Sequence, residues 1–135
     1  MSYEELPHTA DVKIRARAPT PDALFGEACM ALMQVMYGGD RRGGTPWAIE
    51  ISAPDQESLL CDFLSEVLYV TEVEGLVFRH AEVHTDGLHL HAVLDGEPFD
   101  PVRHNMGTEV KGISYSGMSI KKDAKGYMLD ILFDV

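Results

Sequence analysis

Two aspartates near opposite ends of the sequence are the first residues that could do chemistry. Asp11 follows His8 and Thr9 in LPHTADVKIRARA, and Asp134 is followed only by Val135. From His8 on, the N-terminal stretch alternates. His8, Ala10, Val12, Ile14 and Ala16 share one face, and Thr9, Asp11, Lys13, Arg15 and Arg17 share the other, the pattern of a strand with a buried and a polar face. Aspartate is a poor strand former, so propensity does not account for Asp11. The closing MLDILFDV alternates in the same way, with Leu129, Ile131, Phe133 and Val135 against Met128, Asp130, Leu132 and Asp134. If the two strands are neighbours, Asp11, Asp134 and the α-carboxylate of Val135 can converge. Clustered carboxylates repel unless a cation holds them, and hard oxygen donors favour Ca²⁺, Mg²⁺ or Mn²⁺ over zinc. The plainer alternative is a pair of solvent-exposed strand aspartates.

A second constellation is imidazole-rich. LVFRHAEVHT and LHLHAVL flank Asp86-Gly87, a strong two-residue hairpin signal. A turn there pairs Thr85 with Leu88, His84 with His89 and Glu82 with His91. One face then carries Glu82, His84, His89 and His91, a set able to bind zinc or copper. The expectation is the simpler one, a polar outer face whose histidines are dispensable. Nucleophilic catalysis finds no support: the serines lie in no GxSxG context, and there is no phosphate-cradling glycine loop. Cys29 and Cys61 sit in apolar helical patterns without CxxC spacing, as buried thiols in a reducing compartment do.

These residues need elements to position them. A chain of 135 residues has the length of one domain, 1–135, with a core large enough to need no staple. Thr20-Pro21-Asp22 starts a helix that ends at Gly38-Gly39. GGDRRGGT is a loop, and Trp47, Ile49 and Ile51 mark a short strand. Asp55 caps a second helix, striped by Leu59, Leu60, Phe63, Leu64, Val67 and Leu68 and ended by Gly75. After the histidine hairpin, residues 109–121 and YMLDILFDV form another pair of strands. The expected fold is α+β: a single mixed sheet with both helices packed on one face.

Charge narrows the partners. The 22 acidic and 11 basic residues leave a net charge of -11. That argues against strong autonomous nucleic-acid binding, which requires Lys and Arg to neutralise phosphates, and suits a basic partner. No Lys or Arg occurs between Arg42 and Arg79, an interval that includes Asp62 and Glu66 of the second helix. The opening residues are polar and acidic, unlike a secretory leader, and no apolar run approaches the ~18 residues of a membrane span. A soluble cytoplasmic protein is expected, with no membrane partner.

Taken together, the motifs resemble the archease family. HTADV at 8–12, LLCDFLSEVLYVTEVEG at 59–75, LDGEPFDPVRH at 94–104, EVKGISY at 109–115 and the terminal DILFDV occur in family order across essentially the whole chain. The family often has EVKAxTYH where this sequence has EVKGISYS, which removes any role for a side chain like that histidine at Ser116. The resemblance implies a small metal-binding, non-catalytic activator of RtcB-type RNA ligases, which join 2′,3′-cyclic or 3′-phosphate ends to 5′-hydroxyl ends with GTP and Mn²⁺. It implies a role in tRNA processing, through tRNA splicing or RNA repair, by promoting guanylylation of the ligase histidine and multiple turnover. It also implies a divalent metal, usually calcium with magnesium or manganese as alternatives, held by Asp11, Asp134 and Val135. A metal-dependent phosphoester hydrolase built on the same carboxylates, and a metal-free interaction module docking through its acidic helix, are the competing readings.

Overall fold

The computed structural model describes residues 1–6, 11–105 and 107–135. Its elements run β1 (Ser2–Leu6), β2 (Val12–Ala18), α1 (Pro21–Tyr37), β3 (Thr45–Ser52), α2 (Gln56–Glu74), β4 (Leu76–Thr85), β5 (His89–Pro98), β6 (Gly112–Asp123) and β7 (Gly126–Asp134). The helices start and stop where local chemistry dictates. Thr20 Oγ1 accepts from the Ala23 N–H at 3.2 Å, and Asp55 Oδ1 accepts from the Ser58 N–H at 2.7 Å, each satisfying a first-turn donor. Gly75 closes α2 in the left-handed conformation, φ 65°, that other residues adopt at a cost.

The α+β class holds, but the single mixed sheet does not. The strands form two sheets, a four-stranded one in the order β1-β2-β7-β6 and a three-stranded one in the order β3-β5-β4. Every strand pair is antiparallel. Each helix touches strands of both sheets, α1 through β2 and β4 and α2 through β6 and β3, so neither rests on one face of one sheet. Alternation reveals strands but not which hairpin edges join. Here the β6-β7 hairpin pairs with β2, not with β5. The extra strand β1 escapes detection in sequence because it is an edge, mostly exposed, and too polar to alternate.

A single cluster of buried side chains fills the interior: Phe25, Leu32 and Met33 from α1, Phe63 and Leu64 from α2, Phe78 and Leu94 from the three-stranded sheet, and Ile14, Ile131 and Phe133 from the other. The apolar faces expected on β2 and β7 both point into it. Two departures from regular pairing matter later. The β6-β7 register shifts between Ser114 and Ser119, and β6 begins only at Gly112, after residues 107–110 that dock elsewhere. The Thr108 N–H donates to the Val35 carbonyl at the end of α1 (2.8 Å), and Val110 is fully buried.

Candidate functional site

The ladder between β2 and β7 ends with Val12 opposite Phe133. Asp11 and Asp134 are the next residue beyond that pair on each side, so both lie at the same end of the sheet. Asp11 occupies a bend just before β2 and not the strand itself, which removes the puzzle of an aspartate in a strand. His8, Thr9 and Ala10 lie outside the described residues. On its other side, Asp134 pairs with Gly112 of β6, and its carbonyl accepts from the Lys111 N–H at 2.7 Å. The backbone carrying Asp134 is therefore held by two neighbours at the end of the sheet, while its side chain and Val135 remain exposed. A Cβ at Gly112 would lie 3.6 Å from Asp134 Oδ2, an ordinary contact. Alanine fits there as well as glycine.

The donor chemistry suits a hard divalent ion: two carboxylates and, at Val135, a third anionic group, all oxygen. No three His, Cys, Asp or Glu side chains among the described residues are arranged to hold a metal ion together. A site at this sheet end would take two side chains from Asp11 and Asp134 and its third charge from a main-chain carboxylate at Val135.

Asp130 is the decoy of the same strand face. Arg15 Nε donates to its Oδ1 at 2.8 Å and Arg15 Nη2 to its Oδ2 at 3.0 Å, a bidentate pair in a half-buried setting. Hydrogen bonding and charge from Arg15 hold the Asp130 carboxyl below its ordinary range. Its lone pairs are committed, and those of Asp134 are not paired in this way.

Sequence reading missed a second polar network. Glu97 accepts from both terminal nitrogens of Arg103 and from the Arg42 N–H at 2.6 Å. These donors, Arg103 foremost, pull its carboxyl down to about 2. His104 is buried beneath it. His104 Nδ1 accepts from the Asp100 N–H at 2.8 Å, which places the ring proton on Nε2, 3.2 Å from Glu97 Oε2. The network folds residues 99–104 into a tight turn. That turn feeds the segment whose Lys111 fixes Asp134. Its only sequence signal was the LDGEPFDPVRH motif.

The remaining expectations sort cleanly. His84, His89 and His91 are exposed on the outer face of the three-stranded sheet. Their register differs from the expected one: Thr85 faces Leu90, His84 faces His91 and Glu82 faces Val93. Asp86 is the residue before the turn. Its Oδ1 accepts from the Leu88 and His89 N–H groups (2.9 and 2.8 Å), leaving Gly87, φ 98°, and Leu88 as the central pair. Cys29 is fully buried, and desolvation pushes its thiol up to about 12, so it is no nucleophile. None of the carboxylates of α2 forms an ion pair among the described residues. No helix of the described residues is long and apolar enough to cross a membrane.

Comparison with known proteins covers the same span. The model of the archease protein family matches residues 3–135. "Protein archease" of Methanosarcina mazei is 34% identical over 139 residues, covering 98% of this chain and 95% of the relative. "Protein archease-like" of Drosophila melanogaster is 34% identical, covering 100% of this chain and 91% of the relative. Among solved structures, the solution structure of Methanobacterium thermoautotrophicum protein 1598 superposes with a TM-score of 0.82 at 25% identity, covering 98% of both chains. A Thermotoga maritima crystal structure, described as an archease and possible chaperone, shares the fold at TM-score 0.68 and 16% identity, covering 98% of this chain and 96% of that one.

Proposed function

The chain belongs to the archease family, and from that premise we propose that it is an accessory activator of an RtcB-type RNA ligase, serving tRNA splicing or RNA repair. The full-length family match carries this reading. It spans the acidic helix, the Glu97-Arg103-His104 turn and residues 3–135 as a whole, and a β2-β7 register that leaves Asp11 and Asp134 at one end of the sheet supports it.

In this reading Asp11, Asp134 and the Val135 carboxylate hold a hard divalent ion, calcium first and magnesium or manganese as alternatives. When bound, such an ion supplies local positive charge and open coordination positions for oxygen ligands. The rest is work for the chain itself. Lys111, Gly112 and Val12 hold the two aspartates at one sheet end, where they project toward a partner. The unpaired acids of α2, Asp62 and Glu66 among them, suit a basic ligase surface. Activation requires only that this face bind the guanylylation-competent ligase more tightly than the resting form.

The test is guanylylation of a purified cognate ligase with and without this protein. Faster guanylylation and repeated turnover are expected, and equal rates refute the reading. RNA or phosphoester cleavage by the protein alone would favour the hydrolase instead. A short C-terminal extension, which converts the Val135 carboxylate to an amide, is expected to weaken divalent-ion binding and activation while leaving the far-UV circular dichroism unchanged.

A further inference from the structure

The three-stranded sheet carries a row of side chains that neither the carboxylate pair nor ligase activation explains. Across its exposed face, Glu50 of β3 is set opposite His91 of β5, and His91 opposite His84 of β4. His89 precedes His91 by two residues on the same strand and projects from the same face. The arrangement is a His-x-His pair on one strand with a third imidazole directly across the ladder. Opposed positions on a sheet have Cβ atoms about 4.5–5.5 Å apart, and diagonal ones somewhat farther. Imidazoles at that spacing can reach one ion at Zn–N distances of about 2.0–2.1 Å.

Each of the three rings has one nitrogen turned to a carboxylate. His91 Nδ1 is 3.2 Å from Glu50 Oε1, His84 Nε2 is 3.5 Å from Glu82 Oε1, and His89 Nδ1 is 3.6 Å from Asp86 Oδ1. The second nitrogen of each ring is left over. None of these approaches is a hydrogen bond, so they place negative charge beside each imidazole without fixing the ring's orientation. All three rings also line one open cavity of about 680 Å³, together with Glu50 and Asp86. The carboxylates give that cavity a negative field.

We propose that His84, His89 and His91 bind one zinc-class divalent ion on this face, distinct from the hard-ion pair at Asp11 and Asp134. Nitrogen donors select Zn²⁺, Cu²⁺ or Ni²⁺ over Ca²⁺ and Mg²⁺. As they stand the three rings do not converge on a point. Their side chains are 64%, 69% and 50% exposed, so packing does not oppose the rotations that bring them together. The ligand role departs from the sequence-based expectation that these are outer-face residues and not ligands, and the histidines remain dispensable for ligase activation.

The test uses untagged full-length protein, stripped with chelator and dialysed. Zn²⁺ is titrated against a chromophoric competitor, and Co²⁺ is titrated by visible absorption. One Zn²⁺ per chain, with the absorption of four-coordinate Co²⁺, is expected. His84→Gln and His91→Gln, each made singly and checked by circular dichroism, should weaken Zn²⁺ by about tenfold or more through loss of a ligand. Asp134→Ala should bind Zn²⁺ as the wild type does. The proposal is overturned if wild-type protein takes up no stoichiometric Zn²⁺, if both histidine variants bind it unchanged, or if Asp134→Ala abolishes binding.

Discussion

Asp130 and Asp134 stand four residues apart on one face of β7, and their neighbours give them different work. Arg15 occupies both oxygens of Asp130, whereas only the backbone of Asp134 is held. Replacing Asp11 or Asp134 by alanine should therefore weaken divalent-ion binding on the order of tenfold, since affinity for a hard cation follows the number and charge of its oxygen ligands. Melting temperatures of both variants should stay near wild type. Asp130→Ala should do the reverse, lowering the melting temperature while leaving the calorimetric metal isotherm intact. Sequence already sets Asp130 apart from Asp11 and Asp134 but does not show the reason, because the arginine that occupies Asp130 lies 115 residues away. Glu97 gives a pH signature. Its folded carboxyl, held at about 2, lies below the ordinary value of about 4.3. Its stabilisation is thus complete above the ordinary value and is lost as pH falls toward 2. Melting temperature measured across that window should fall less steeply in Glu97→Gln than in wild type.

At the scale of elements, the segment between the Glu97 network and β6 acts as a strap. A Cβ on Gly107 would overlap the Met36 carbonyl and the Val35 oxygen at the end of α1, so this close approach admits only glycine. Gly107→Ala should cost ~1–3 kcal/mol by overpacking, read as a lower denaturation midpoint. It should also weaken divalent binding at Asp134, because the strap delivers the Lys111 N–H to that residue. Elements governed by local chemistry were legible in sequence: both helices fall at their caps and terminal glycines, and the β4-β5 hairpin falls where the Asp-Gly signal puts it. The hairpin register was not, because Asp86 can serve as a turn centre or as the acceptor that precedes it, and only the tertiary pairing with β3 and α1 decides. The start of β6 was hidden for a similar reason. Val110 continues an apolar pattern but is buried against other parts of the molecule before the strand begins.

Over the whole molecule, charge is unevenly placed. Lys13, Arg15 and Arg17 on β2 and Lys121 on β6 share the outer face of the four-stranded sheet around Asp130, whereas the acids of α2 form no ion pair among the described residues. If α2 docks a basic ligase surface, complex formation should weaken by about tenfold or more when salt is raised to ~1 M, where the screening length is ~3 Å. Asp62→Asn with Glu66→Gln should reproduce much of that loss at low salt. Sequence disclosed the missing bases along 43–78 but not the grouping of cations, which depends on strands joined across the chain. That joining has a further consequence. β7 lies between β2 and β6, so the four-stranded sheet is not joined until residues 126–134 have been synthesised. Until then β2 pairs with β1 alone, and long-range pairing of this kind is slow and prone to misassembly. A copy cut short before Gly126 loses the strand between β2 and β6 together with its proposed ligand Asp134. Such a product is expected to show no cooperative melting transition.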